Sequence, residues 1–522
     1  MDWLNKLPVL VLGLGDSGLA MARWCARHGA NVSVWDSRET PPNAAKLASE
    51  LPAIELLGGE LGIQRLPGIQ LILKSPGLAP QDPRVAPLLD EARAIGIAIL
   101  GELDLFTRAL ADLKETQGYA PRLLAITGTN GKTTTTAMTA LLVQRAGKSV
   151  ATAGNIGPTL LDTLSACLGS LPDEPLPQVW VLELSSFQLD NVRGFEPTAA
   201  AVLNITQDHL DWHGTMAAYT AAKARVFGQH AWMVINLDDE RVEALVPAPV
   251  VVKGKVKLTD RPIVRYGLDA PHNAGDFGLV TENGMAWLVR ALPADDTFKL
   301  KKGEAAEIHL QRLMPADALR VRGRHNAANA LAALAFASAI GCNLAPMLHG
   351  LREYAGEPHR LQPVGRVGDV QAYDDSKGTN VGATVAALDG LGADIAPARL
   401  VVILGGDGKG QDFSPLAAPL ARHARAVATI GRDAAAIEAA IEGAIQAAIA
   451  GAIDQARESL PVQRHATLQA AVAWCFAQAQ AGDAVLLSPA CASLDMFSNY
   501  AHRAEVFVQA VQALAADRGG LA

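Results

Sequence analysis

Residues Thr127–Thr134 read Thr-Gly-Thr-Asn-Gly-Lys-Thr-Thr and follow the apolar run Leu123-Leu124-Ala125-Ile126. A short buried strand that enters a glycine-rich turn, then a lysine, then hydroxyl residues opening a helix, builds a cradle for phosphate. Gly128 and Gly131 permit the tight turn and bring backbone N–H groups close to an anion. The helix predicted to start near Lys132 adds its positive N-terminal end. Lys132 can reach terminal phosphates, and the Thr133 hydroxyl can bind Mg²⁺. The full phosphate-loop pattern lacks its first glycine, whose place is taken by Ile126. The order of strand, Lys-Thr-Thr and helix still predicts use of a nucleoside triphosphate, whose phosphates would lie on Gly128, Thr129, Asn130, Gly131, Lys132, Thr133 and Thr134.

Downstream, Val179-Trp180-Val181-Leu182 reads as an apolar strand that delivers Glu183 at its C-terminal end. Ligands gather at that edge of a parallel sheet, and a carboxylate there can hold Mg²⁺. Val202-Leu203-Asn204-Ile205 reads as another strand, followed by Thr206-Gln207-Asp208-His209. Both Glu183 and His209 thus follow buried strands beyond a phosphate loop, where function is expected. His325-Asn326-Ala327-Ala328-Asn329 opens a long Ala-rich helix, with Asn326 and Asn329 on one face. The stretch from about 238 to 320 is poorly periodic and yields no chemistry.

Upstream, Pro8-Val9-Leu10-Val11-Leu12 leads into Gly13-Leu14-Gly15-Asp16-Ser17-Gly18, and a second strand, Val32-Ser33-Val34-Trp35, ends at Asp36. A Gly-x-Gly-x-x-Gly turn with an acid roughly 20 residues on is a dinucleotide fingerprint. It alone suggests NAD, but the same turn serves any ligand carrying a pyrophosphate and a ribose. Beyond Glu357, Val401-Val402-Ile403-Leu404 ends in Gly405-Gly406-Asp407-Gly408-Lys409-Gly410. Ala484-Val485-Leu486-Leu487 ends in Ser488-Pro489-Ala490-Cys491-Ala492-Ser493. The whole reads as an α/β chain of three domains, at 1–101, 102–356 and 357–522, each built on a mainly parallel sheet.

Composition agrees with a large soluble enzyme. The 522 residues exceed what one core supports, and 50% hydrophobic with 19% charged residues is a globular balance. A net charge of −8 argues against a nucleic-acid surface. The five cysteines are scattered, without a Cys-x-x-Cys pair, which fits a reducing cytoplasm. Neither a signal peptide nor a membrane span is legible. Ile437, Ile441, Ile445, Ile449 and Ile453 recur every four residues among alanines in an insertion at 434–458. That stripe predicts either a helix packed on its own domain or one offered to a partner.

Several longer motifs carry a resemblance. Gly128-Thr129-Asn130-Gly131-Lys132, Gly154-Asn155-Ile156-Gly157, Glu183-Leu184-Ser185-Ser186-Phe187-Gln188-Leu189 and Asp208-His209 occur in this order. Pro358-His359-Arg360, Asp375-Ser376-Lys377-Gly378-Thr379-Asn380, Leu404-Gly405-Gly406-Asp407-Gly408-Lys409 and Ser488–Asp495 follow. Over nearly its whole length the chain resembles the Mur ligases, and within them the branch that adds D-glutamate. The resemblance implies that ATP phosphorylates the carboxylate of UDP-N-acetylmuramoyl-L-alanine, and that the amine of D-glutamate attacks the acyl phosphate. This is a step of peptidoglycan precursor synthesis in the cytoplasm, carried out by a monomer. It implies two Mg²⁺ sites, with Mn²⁺ as a possible substitute. Thr133 and Glu183 would hold one ion; His209 and Lys223, carbamylated by CO₂, would hold the other. Asn329, Arg360 and Asp375 would join the ATP site. His359, Lys377, Thr379, Lys409, Ser493, Leu494 and Tyr500 would surround D-glutamate. Gly15, Asp16, Ser17, Asp36, Ser37, Gly77 and Asn155 would hold the UDP-sugar, so the dinucleotide-like turn would take UDP and not NAD.

Rival readings remain at this stage. A folylpolyglutamate synthase or another Mur ligase shares the phosphate loop, but such enzymes commonly carry Asp-Tyr-Ala-His where this chain has Tyr373-Asp374-Asp375-Ser376-Lys377. An NAD-dependent oxidoreductase would leave Lys132 and Glu183 unexplained. A binding protein with a dead site would not need Lys132, Glu183, His209 and Lys223 together.

Overall fold

A computed structural model of the chain describes residues 2–170, 175–248, 250–252, 255–257, 261–294, 307–451 and 460–517. Three large sheets follow one another in sequence, and a two-stranded ribbon, Val250–Val252 with Lys255–Lys257, stands apart from them. The first holds five parallel strands in the spatial order Glu55–Leu57, Asn31–Trp35, Pro8–Leu12, Leu71–Lys74, Ala98–Leu100. Strand order reverses on either side of Pro8–Leu12, which opens a crevice beyond its carboxyl end. The Gly13–Gly18 turn lies there. A Cβ on Gly18 would sit 1.8 Å from the Gly13 carbonyl oxygen, so the turn excludes any side chain at that position.

In the central nine-stranded sheet, Arg122–Thr127 lies between Ala199–Val202 and Val179–Glu183, all parallel. Both faces are covered, which explains why these strands read as unbroken apolar runs. Ala125, Trp180, Leu182, Ala200 and Val202 face one core; Leu124, Ile126, Val181, Ala199 and Ala201 face the other. The first core also takes Leu19 and Trp24 of the helix Asp16–Arg27 and Leu103, Phe106 and Leu110 of the helix Glu102–Gln117. The first and second sheets therefore share one apolar core, which holds the crevice of the first at a set distance from the phosphate loop. The second core is lined by the Ala-rich helix Arg324–Ala339, whose small side chains let it lie close against the helix Lys132–Arg145.

Two local expectations need correction. The strand expected at 202–205 is Ala199–Val202. Alanine has weak strand preference, so the Ala199–Ala201 run hid it, and burial between two cores overrides that preference. Leu203, Asn204 and Ile205 lie past its end, and the first two line a cavity beside the phosphate loop. The unassigned stretch 238–320 extends the central sheet with Ile263–Tyr266, Phe277–Glu282, Met285–Pro293 and Ile308–Pro315, and the third of these runs antiparallel to its neighbours on either side. A register shift between Leu288 and Val289 breaks the alternation a sequence reading relies on.

The third sheet has the order Gln362–Val367, Val370–Asp374, Ala484–Leu487, Leu400–Gly405, Ala424–Ile430, Val462–Arg464, antiparallel only between the first two. Ile437 and Ile441 are fully buried in its core, and Glu438 pairs with Arg464 and Thr429. These turns of the isoleucine stripe pack on their own domain. Residues 452–459 of that insertion, including Ile453, lie outside the described residues.

Candidate active site

The crevice of the first sheet and the central block enclose a cavity of about 470 Å³. Gly15, Asp16, Ser17, Asp36, Ser37, Gly77 and Asn155 all line it, so residues 140 positions apart in sequence meet at one site. Asp36 is buried and accepts the Leu14 N–H at 2.6 Å and the Arg38 guanidinium at 2.7 Å. Burial opposes its ionisation, but the Arg38 guanidinium and the Leu14 N–H hold the carboxyl down at about 2. Arg38 and Arg84 also line the cavity, and Arg84 donates to the Ser37 hydroxyl at 3.0 Å. Two guanidinium groups over a glycine turn suit a diphosphate. Sequence reasoning missed both arginines, because neither stands in a motif.

Asn155 connects this cavity to the next site. Its amide donates to Glu183 Oε1 at 3.1 Å, and Glu183 is buried at the end of its strand. Beside it the phosphate loop turns as expected, and the helix begins at Lys132. Gly131 has φ +80°, and a Cβ there would lie 2.6 Å from Asn329 Oδ1. Lys132 Nζ donates to the carbonyls of Gly128 at 2.9 Å and Thr129 at 2.8 Å. Burial lowers its pKa, countered by Glu183 and Asp208. The Thr133 hydroxyl accepts from Arg360 at 2.8 Å, a contact between the central block and the third.

Lys223 is 2% exposed, on the helix Met216–Ala224. Its Nζ donates to the Gly128 carbonyl at 2.8 Å, sits 3.4 Å from the Thr127 hydroxyl, and lies 4.6 Å from the centre of the Tyr219 ring. Its pKa falls well below the usual lysine range, first through burial and then through the Lys132 charge. His209 packs edge-on against Phe187, with ring centres 4.7 Å apart. Burial lowers its pKa as well, and Lys409, Lys132 and Lys223 add to that effect. A neutral imidazole is the ligating form. Among the described residues no three His, Cys, Asp or Glu side chains cluster as a metal site. The Thr133 hydroxyl and the Glu183 carboxylate are hard oxygen donors that fit Mg²⁺ beside phosphate. The Lys223 ammonium fits no metal; its carbamate would.

A second cavity, of about 270 Å³, opens on the other side of the loop. Of the residues expected at ATP, Asn130, Gly131, Thr134, Asn329, Arg360 and Asp375 line it, and Gly128, Thr129, Lys132 and Thr133 do not. Asn204, Asn236, Asp238, Tyr266 and His325 also line it and carried no sequence signal for that role. Burial lifts the Asp375 carboxyl to about 7, and Ser488 donates to it at 2.7 Å. Of the side chains expected around D-glutamate, Lys377 stacks on Tyr500 at 3.8 Å and His359 approaches the same ring at 5.9 Å. His359 Nδ1 bonds Asp374 at 2.7 Å. Lys409 is close enough to His209 to affect its titration. Thr379 lies two residues beyond Lys377, with its N–H on the Lys377 carbonyl. Ser493 is buried and Leu494 is 71% exposed, on the segment that leads to Tyr500.

Comparison with known proteins matches three successive stretches of the chain to family models. Residues 8–101 match the family description Mur ligase MurD-like, N-terminal domain; 126–337 match Mur ligase middle domain; 359–491 match Mur ligase, glutamate ligase domain. A UDP-N-acetylmuramoylalanine–D-glutamate ligase of Albidiferax ferrireducens is 58% identical over 99% of this chain and 98% of its own length. A Polaromonas protein of the same name is 51% identical over 99% of this chain and 100% of its own. The chain belongs to the Mur ligase family. Among solved structures, MurF ligase from Thermotoga maritima in complex with ADP aligns over 98% of this chain and 96% of its own, with TM-score 0.55 and 16% identity. UDP-N-acetylmuramate-alanine ligase MurC of that organism aligns over 97% and 99%, with TM-score 0.54 and 20% identity. These two share the Mur ligase fold. Membership removes the oxidoreductase alternative. No helix among the described residues of this Mur ligase is long and apolar enough to cross a membrane.

Proposed function

We propose that this chain is an ATP-dependent ligase that joins D-glutamate to UDP-N-acetylmuramoyl-L-alanine through an acyl phosphate, in cytoplasmic peptidoglycan precursor synthesis. The name shared by full-length relatives at 51–58% identity supports the substrate pair. The observation that carries the reading is the Asn155–Glu183 contact, which joins the arginine-bearing cavity to the phosphate loop. A UDP-sugar anchored at Gly15, Ser17, Asp36 and Gly77 can extend its acyl end past Asn155 to meet a terminal phosphate at Lys132.

A carboxylate is a poor electrophile, and phosphorylation turns one of its oxygens into a leaving group. The charge of the transition state is met by Lys132, Arg360 and the loop N–H groups. Lys377, His359, Thr379 and Ser493 offer an ammonium, an imidazole and hydroxyls to the carboxylates of D-glutamate. When bound, Mg²⁺, or Mn²⁺ in its place, would neutralise phosphate charge. Thr133 and Glu183 would hold one ion. His209 and Lys223 would hold another once CO₂ adds to the neutral Lys223 amine, releasing a proton and forming a carbamate. The suppressed lysine pKa favours that amine.

ADP release with UDP-N-acetylmuramoyl-L-alanine should be supported by D-glutamate and only poorly by L-glutamate, L-alanine or diaminopimelate. Equal turnover with L-glutamate would sink the assignment.

A further inference from the structure

The helix Val381–Asp394 of the third block forms one wall of the nucleotide cavity through Gly382, Ala383, Ala386 and Ala387. It lies very close to the central block. A Cβ on Gly382 would meet the Thr206 hydroxyl at 3.1 Å and Asn130 Nδ2 at 3.3 Å, and one on Gly390 would lie 3.0 Å from the Gly323 Cα. Asn380 stands at the head of this helix and is buried. Its Oδ1 accepts from the Ala383 N–H at 2.9 Å, which caps the helix, and from Asn130 Nδ2 at 3.1 Å. Its Nδ2 donates to Asn130 Oδ1 at 2.9 Å and lies 3.5 Å from Asp208 Oδ2. The two side-chain amides thus form a reciprocal pair between the phosphate loop and the third block. Asn130 is itself pinned, its N–H donating to Asn204 Oδ1 at 2.8 Å and its carbonyl accepting from Asn204 Nδ2 at 3.1 Å.

We propose that Asn380 is a positioning residue: through its amide pair with Asn130 it holds the amino-acid-binding segment 377–380 in register with the phosphate loop. The proposal rests on the ligase reading. Capping alone does not call for asparagine, since serine caps a helix equally well. The pair does, because it needs a donor and an acceptor on one short side chain. The Ala383 N–H and the Asp208 carboxylate fix which end is which. The reacting amine and the acyl phosphate come from opposite sides of this seam, and a misplacement of about 1 Å can cost ~10²-fold in rate.

Asn380→Ser keeps the cap but cannot reach Asn130. It should fold and melt like the parent, while kcat falls by about 10-fold or more and KM for UDP-N-acetylmuramoyl-L-alanine stays within about 3-fold. Asn130→Ala should also lose turnover, and the double variant should lose no more than the worse single, because both break one contact. A kcat within about 3-fold of the parent in Asn380→Ser, or losses that multiply in the double variant, would overturn the proposal. Should Asn380→Ser not fold, Asn380→Asp retains the cap and sets a carboxylate oxygen against Asn130 Oδ1 and Asp208. It must then show the same kcat loss, and normal turnover would overturn the proposal equally. The unsubstituted enzyme is assayed alongside with the amino-acid panel. If it rejects D-glutamate, the substrate reading fails, and the variant cycle is run with the amino acid it does accept.

Discussion

Lys223 lies beneath the phosphate loop with its ammonium on the Gly128 carbonyl and no carboxylate bonded to it among the contacts described. A lysine on a helix is ordinarily a solvated cation, and its truncation then changes stability by less than ~0.5 kcal/mol. Here the cation is buried beside a second one, Lys132, and its pKa is lowered accordingly. A carbamate would replace that cation with two oxygens. Lys223→Ala should therefore collapse turnover, and added acetate or formate should partly restore it by filling the vacated space with a small carboxylate. Turnover assayed with and without the additive decides the matter. Near-normal activity without rescue would show that Lys223 ligates no metal.

The strand–turn–helix around Gly131 shows how an element depends on one backbone conformation. Gly131 has φ +80° and faces Asn329 Oδ1 at 2.6 Å from a would-be Cβ. Asn329 belongs to the helix Arg324–Ala339, so the loop is shaped by a helix nearly 200 residues away. Gly131→Ala should cost on the order of 1–3 kcal/mol in stability, from strain and from the displaced Asn329. Nucleotide affinity should drop sharply as the loop N–H groups turn away, while binding of the UDP-sugar at the first sheet persists. Calorimetric titration with each ligand separates the two sites, and unchanged ATP affinity would contradict the role given to the loop.

At the scale of the molecule, Glu102 bears on how the first and central blocks are joined. It opens the helix Glu102–Gln117 and accepts the Leu161 N–H at 3.0 Å, while its Oε2 finds no partner among the described residues. Burial lifts its carboxyl to about 7, against the pull of the Leu161 N–H and the Ser17 hydroxyl. The folded-state value lies above the unfolded one, so the folded chain holds this proton longer. The contribution of Glu102 to stability is present below about 4.5 and is lost as pH rises towards 7. Half-buried His213 and His325, lowered to about 4, act in the opposite sense and add stability as pH rises from 4 through 6.5. A comparison of Glu102→Gln with the parent isolates the carboxyl. The melting temperature of the variant relative to the parent should climb between pH 5 and pH 8. A difference that stays level across that range would show that Glu102 does not ionise at a cost.

By itself the sequence determined the three α/β blocks, the glycine turns at strand ends and the phosphate loop. These are local matters: buried strands between two covered faces read as apolar runs, and a turn that admits no Cβ reads as glycine. The family motifs added the residues expected at each ligand. Arg38, Arg84, Asn204, Asp238 and Asn380 lay outside every functional assignment, because their roles come from neighbours distant in the chain. The Ala199–Ala201 strand was hidden for the same reason, since only the two cores around it make it a strand. Tertiary structure alone decided that Asn155 would reach Glu183, that Lys132 and Lys223 would share one carbonyl, and that Asn380 would meet Asn130 across 250 residues. Packing sets such distances, and no local periodicity records them.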